Sequence, residues 1–165
     1  MITIETLLDQ TLATRQTIVK VLKSIPVEQA DTIPPTWNNN ARWHAGHLLI
    51  TPCLLSHGLL KEDLTVPEDY RKWFAKGTGP ADWSGDDAIP TYADLVDEIV
   101  PLAGRLIESF KDRLNEPFLE PYTTSVGIIL RTPGEAFNMS LMHDGIHLGM
   151  LLALRRALQQ APAQA

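Results

Sequence analysis

Apolar positions recur with helical spacing in four segments of the chain, and two long Pro- and Gly-containing stretches separate them. In the first segment, residues 3 to 25, Ile4, Leu8, Thr11, Ile18 and Leu22 fall within about 40° of one line on a helix of 3.6 residues per turn. Arg15 falls in the middle of this stripe, where a guanidinium needs an anionic partner or an exit to solvent. The simpler expectation is that Arg15 snorkels at a bundle edge rather than facing a substrate. Pro26 and then Pro34-Pro35 end this helix, and Asn38-Asn39-Asn40 supplies N-cap residues for the next. The second helix is predicted over residues 40 to 60, with a face of Trp43, His47, Ile50, Thr51, Leu54 and Gly58. His47 is central on that face, His44 lies about 60° to one side and His57 about 80° to the other. Pro52 has no backbone donor and crowds the preceding turn, which predicts a kink just beyond these histidines.

Residues 61 to 90 lack sustained periodicity, and a connection this long in a small domain is usually functional. Tyr70, Trp73, Phe74 and Trp83 argue that it packs down over one end of the helices or against a second subunit, with a short helical turn around residues 68 to 74. Thr91, with Asp94 three residues on, opens the third helix, whose stripe is Tyr92, Val96, Ile99, Ala103, Leu106, Phe110 and Leu114. Pro101 is on the opposite side, so this helix bends without stopping. Residues 115 to 131 read as a crossover with a short extended piece between 122 and 130. Thr132-Pro133-Gly134-Glu135 then places Thr at the N-cap, Pro at the first helical position and Glu at the third, and a fourth helix follows from 133 to about 159. Four amphipathic helices without convincing strands predict an all-α four-helix bundle, a single domain over residues 1 to 165, with a long connection between the second and third helices.

A net charge of −6 without a basic cluster gives no electrostatic reason to expect nucleic acid or an anionic membrane surface as partner. No apolar run reaches the roughly 18 residues of a membrane span, and the first residues lack a secretory pattern, so a cytoplasmic protein acting on a small molecule is expected. Cys53 is the single cysteine, which excludes an internal disulfide and a cysteine-based zinc knuckle; on its apolar stretch it reads as a packing residue.

Four of the five histidines fall in two close pairs, His44/His47 and His143/His147. His143 and His147 are about 40° apart on the fourth helix, one turn above the other, which is metal-ligand spacing. Ala136, Met139, Ile146, Met150, Leu154 and Ala157 surround them with apolar character, which predicts that both imidazoles face the core. His47, His143 and His147 around one divalent ion is the economical geometry, with zinc, nickel, cobalt or iron all suited to nitrogen ligands. Three imidazoles leave a coordination position open, as in catalytic rather than structural sites. The bland alternative is that these histidines pair with side chains or backbone inside a bundle. Other metal chemistries lack their motifs: there are no paired Glu-x-x-His repeats for a di-iron centre, and His143-Asp144-Gly145-Ile146-His147 has Asp where a zincin carries its glutamate base. Glu135, Asp144 and Tyr122 are candidates for orienting a ligand or moving a proton, although cap, surface and loop roles are the default for each.

The segments Arg42-Trp43-His44-Ala45-Gly46-His47-Leu48 and His143-Asp144-Gly145-Ile146-His147-Leu148-Gly149 resemble, in order and placement, the histidine motifs of the DinB-like superfamily, which includes YfiT-like proteins and transferases acting with bacillithiol or mycothiol. The resemblance implies a four-helix bundle, often a homodimer, with His47, His143 and His147 on a divalent transition metal, zinc or nickel foremost. It places His44 outside the ligand set, with His44 and Asp144 as supporting residues. It implies a metal-dependent thiol S-transferase with a low-molecular-weight thiol as co-substrate, the alternatives being a metal-dependent hydrolase and a non-catalytic metal-binding or stress-associated protein.

Overall fold

The computed structural model describes residues 4–85 and 88–160, so the predicted helix start at residue 3 and the tail beyond 160 lie outside the described residues. The elements follow in the order α1 (Ile4–Lys23), α2 (Ala41–Cys53), α3 (Asp69–Phe74), α4 (Tyr92–Phe110), β1 (Tyr122–Thr123), β2 (Ile129–Leu130) and α5 (Pro133–Gln160). α1 and α2 each pack against both α4 and α5, so the four long helices form a bundle with α1 and α2 on one diagonal. Among the described residues, no helix is long and apolar enough to cross a membrane.

The helix starts follow their capping chemistry. Asn40 accepts the Trp43 amide at 2.8 Å at the head of α2, and Thr91 accepts the Asp94 amide at 3.2 Å at the head of α4. At α5, Thr132 accepts from the Glu135 amide at 3.3 Å, while the Glu135 carboxylate accepts from the Arg131 amide at 2.5 Å. Glu135 is therefore a cap. α4 passes through Pro101 on its exposed side and buries Tyr92, Leu95, Val96, Ile99, Leu102, Ala103, Leu106 and Phe110. Side chains of this size stabilise by about 1.5–3 kcal/mol each when fully buried, so a continuous stripe holds the helix despite the missing proline donor.

α2 does not continue as an α-helix to residue 60. Pro52 cannot donate to the turn before it, and the chain widens directly afterwards into a π-helical turn, Leu54–Gly58. α2 is also the most enclosed helix: Ala41, Trp43, His44, Ala45, Gly46, His47, Leu48, Leu49, Ile50, Pro52 and Cys53 are all buried. A helix buried on nearly every side gives no single outward face, so His44 is enclosed as fully as His47 is.

α5 corrects the predicted face. Its buried positions are Pro133, Ala136, Phe137, Met139, Ser140, Asp144, His147, Leu151, Leu154 and Leu158, whereas Ile146 is 50% and Met150 37% exposed. The stripe is centred on Ser140, Asp144, His147 and Leu151, with His143 at its edge. Hydropathy alone turned Asp144 outward; the ion pair it makes with Arg15 turns it inward. Arg15 does not snorkel: it is 1% exposed, and its Nε donates to Asp144 Oδ2 at 2.9 Å and its Nη2 to Asp144 Oδ1 at 3.2 Å. A buried charge persists when it is paired and hydrogen-bonded, and this bidentate contact pairs it through Nε and Nη2, with Nη1 left without a partner.

The long connection packs onto its own chain. Tyr70, Trp73 and Phe74 are buried, α3 lies on α2, and the Phe74 ring occupies the place where a Cβ on Gly46 would stand, 2.3 Å from it. The extended piece of the crossover is a small antiparallel hairpin, Tyr122 opposite Leu130 and Thr123 opposite Ile129, which closes a minor core of Phe118, Leu130, Ala136 and Met139.

Candidate metal centre

The structure brings His47, His143 and His147 together. Each offers one ring nitrogen, and the three nitrogens lie within 4.8 Å of one another. α2 supplies the first and α5 the other two, so the contact between these helices is what assembles the group.

Hydrogen bonds to carbonyl oxygen fix how His47 presents itself. Its Nδ1 lies 2.6 Å from the Phe74 carbonyl oxygen, an acceptor only, so Nδ1 carries the proton and donates. Nε2 is consequently a bare lone pair. It faces His143 Nε2 at 3.1 Å and the Thr51 hydroxyl at 3.2 Å. Nitrogens bound to one ion at about 2.0–2.1 Å stand about 3.4 Å apart in a tetrahedral arrangement and about 2.9 Å apart at right angles, so the His47–His143 separation suits neighbouring ligands. The Trp43 ring stacks on His47 at 4.5 Å and 13°, which holds the imidazole plane. Trp43 is held in turn by its Nε1 donating to Thr78 at 3.1 Å.

His147 is oriented by His44. Their Nδ1 atoms are 3.0 Å apart, so one donates to the other. If His147 Nδ1 donates, His44 accepts as a neutral ring and His147 Nε2 is left bare toward the other two histidines, the tautomer a metal ligand requires. His44 thus contacts the three-histidine group without being one of its members. Asp144 does not hydrogen-bond a ligand ring: its Oδ1 is 3.8 Å from His143 Nδ1. It anchors the backbone between His143 and His147 through Arg15 instead. His57 lies outside the group, buried edge-on against Phe110 at 4.6 Å.

Burial sets the protonation of the cluster. Desolvation, with repulsion from His143, pulls His44 down to about 4. Desolvation likewise pulls His47 down to about 4, against the Phe74 hydrogen bond that raises it, and it holds His147 lower still. Neutral imidazoles at physiological pH are what metal binding needs. The bare Nε2 of His47 and the neutrality of the His47 and His147 rings together fit a divalent ion bound by nitrogen.

A cleft of about 310 Å³ opens onto His47 and His143, walled by Thr51, Leu54, Leu55, Lys76, Tyr122, Ser125 and Met139. The π-helical turn contributes Leu54 and Leu55, and the hairpin Tyr122 and Ser125. Of the three orienting candidates, only Tyr122 reaches this cleft. Cys53 is buried beside Thr65, and burial raises its thiol pKa, so it packs. Sequence reasoning missed the Phe74 carbonyl, which has no side-chain signature, and Thr51, which the i, i+4 spacing from His47 could have suggested.

Comparison with known proteins returns a family and a fold that agree with this helical bundle. The family model of the DinB superfamily matches residues 10–151. The chain belongs to the DinB superfamily. A crystal structure described as the conserved protein of a locus from Enterococcus faecalis matches this DinB superfamily chain with a TM-score of 0.64 at 14% identity, covering 96% of this chain and 98% of that one, which shows a shared fold. No curated protein matches the sequence.

Proposed function

We propose that this DinB superfamily chain is a divalent-metal enzyme of the thiol S-transferase type, with His47, His143 and His147 holding zinc or nickel. The observation that carries the reading is the bare Nε2 of His47, fixed by the Phe74 carbonyl, which faces His143 Nε2 across 3.1 Å at the floor of an open cleft. A divalent ion bound there supplies Lewis acidity that makes a thiol available as thiolate near neutral pH.

The protein's own groups do the rest. Trp43 and Phe74 hold His47, His44 holds the His147 ring by a hydrogen bond between their Nδ1 atoms, and the Arg15–Asp144 pair fixes the α5 segment between His143 and His147. Leu54, Leu55 and Met139 give the cleft an apolar wall for the apolar part of a substrate, and Thr51, Tyr122 and Ser125 supply hydroxyls to orient its polar part. Among the described residues no carboxylate lines the cleft, and with His47 and His143 given to the metal no side chain there is left to take a proton from attacking water. A thiol, which ionises at about 8.5 when free, gives up its proton to solvent far more readily than water does, which favours transfer to an electrophile over the metal-dependent hydrolase.

The test is consumption of a small thiol with a chromogenic aryl halide by zinc- and nickel-loaded protein, with ester hydrolysis assayed alongside. Thiol conjugation lost in His47→Ala supports the reading. Ester hydrolysis without conjugation replaces it with the hydrolase, and bound metal without either turnover replaces it with the non-catalytic binding protein.

A further inference from the structure

The cleft over the histidines has a charge pattern of its own, unlike that of the chain. The protein carries a net −6, yet among the described residues Lys76 is the one charged side chain other than histidine in the cleft wall. Its placement is built. Phe74, two residues before it, gives its carbonyl to His47 at 2.6 Å. Thr78, two residues after it, donates to the Trp73 and Ala75 carbonyls at 3.0 and 2.8 Å and accepts from Trp43, the residue stacked on His47. Between them the chain turns at Gly77 with φ of 91°, a left-handed conformation that glycine adopts without strain. Lys76 thus sits in a tight turn whose backbone is fastened on either side to His47 and its stacking partner, so the root of its exposed side chain is held beside a histidine of the group.

The adjoining groove, which shares Leu54, Leu55 and Tyr122 with the cleft, carries Glu62, Asp63 and Glu68 against Lys61 and Arg71. Glu68 pairs with Arg71 and Glu62 with Arg113, so that groove is close to neutral and offers an anion no net attraction, whereas the cleft offers one at Lys76. The remaining wall is apolar at Leu54, Leu55 and Met139.

We infer that the cleft is built for a small amphipathic ligand bearing one carboxylate or similar anionic group, with its metal-seeking end at the histidines and its anion at Lys76. The inference rests on the metal-enzyme reading and adds the class of ligand. Lys76 is a specificity residue: it selects among ligands without holding the metal.

The experiment uses the cobalt-loaded protein, whose absorption reports thiolate binding directly, and compares 4-mercaptobutyrate with 4-mercaptobutyramide, whose charged and neutral ends stand three carbons from the sulfur. 4-Mercaptobutyrate binds about fivefold more tightly, the size expected of one charge-assisted contact at a partly solvated site, and in Lys76→Met the two bind alike with cobalt stoichiometry unchanged. Lys76→Glu reverses the preference. Equal binding in the native protein, or a preference that survives Lys76→Met, overturns the inference while leaving the thiol reading in place. Should neither thiol bind, the thiol reading fails alone, and the same ratio is read with succinic monohydroxamate against butyrohydroxamate: a preference for the acid that depends on Lys76 upholds the inference, and no preference overturns it. A protein that takes up no cobalt overturns both.

Discussion

Arg15 and Asp144, 129 positions apart, form a bidentate ion pair at the centre of the bundle, with Nε to Oδ2 at 2.9 Å and the carboxylate side chain 0% exposed. The pair joins α1 to the one residue of α5 that lies next to His143 and three before His147. It therefore links bundle packing to the geometry of the histidine group. Arg15→Met leaves the carboxylate buried without its partner and is expected to cost about 3–5 kcal/mol in urea unfolding. Arg15→Met with Asp144→Leu removes both charges and regains most of that loss. A cost below about 1 kcal/mol for the single variant would show that the carboxylate finds another partner.

Fold and site were legible in the sequence to different depths. Caps at Asn40, Thr91 and Thr132 are local chemistry, and each forms the predicted hydrogen bond or its near equivalent. The spacing of His143 and His147 and the position of His47 are also local, and the three do converge. The face of α5 was misread because Asp144 is polar by any scale, and its inward direction depends on Arg15, a residue from another helix. The same omission made Arg15 a snorkelling residue. The enclosure of His44 and the Phe74 carbonyl depend on how the long connection folds back over α2, which no periodicity encodes.

Stability of the metal-free protein should fall as pH drops through the histidine range. His44 and His47 are held at about 4 in the folded chain, against 6.5 for an ordinary histidine, so between these values the unfolded chain binds more protons. The stability these neutral rings contribute is fully present above pH 6.5 and is lost as pH falls toward about 4. Urea midpoints across that range, compared with His44→Phe, check the sign: the variant loses one titrating ring and shows a shallower fall. A steeper fall in the variant contradicts the assignment.

Gly46→Ala places a methyl group where the Phe74 ring stands, 2.3 Å away. The helix and α3 must separate, which costs about 1–3 kcal/mol by overpacking. Because the Phe74 carbonyl fixes the His47 tautomer, metal affinity falls along with stability. Gly104→Ala, at a helical glycine with nothing within 4 Å, is the control and leaves both intact.

His44→Phe keeps the bulk of the ring and removes the acceptor opposite His147 Nδ1. Loss of such a supporting partner typically weakens metal binding about 10–100-fold. The expected result is weaker zinc binding in a competition titration, with the same stoichiometry at saturation. Loss of stoichiometry instead would make His44 itself a ligand.

The central claim is that three histidines from α2 and α5 form one metal site, and elemental analysis of untagged protein tests it most directly. Protein prepared without chelator is compared with His47→Ala and His143→Ala, each checked for retained helix content. The account predicts about one zinc or nickel ion per chain in the native protein and loss of that ion in both variants. No metal in the native protein after incubation with either ion, or unchanged metal content in either variant, contradicts it.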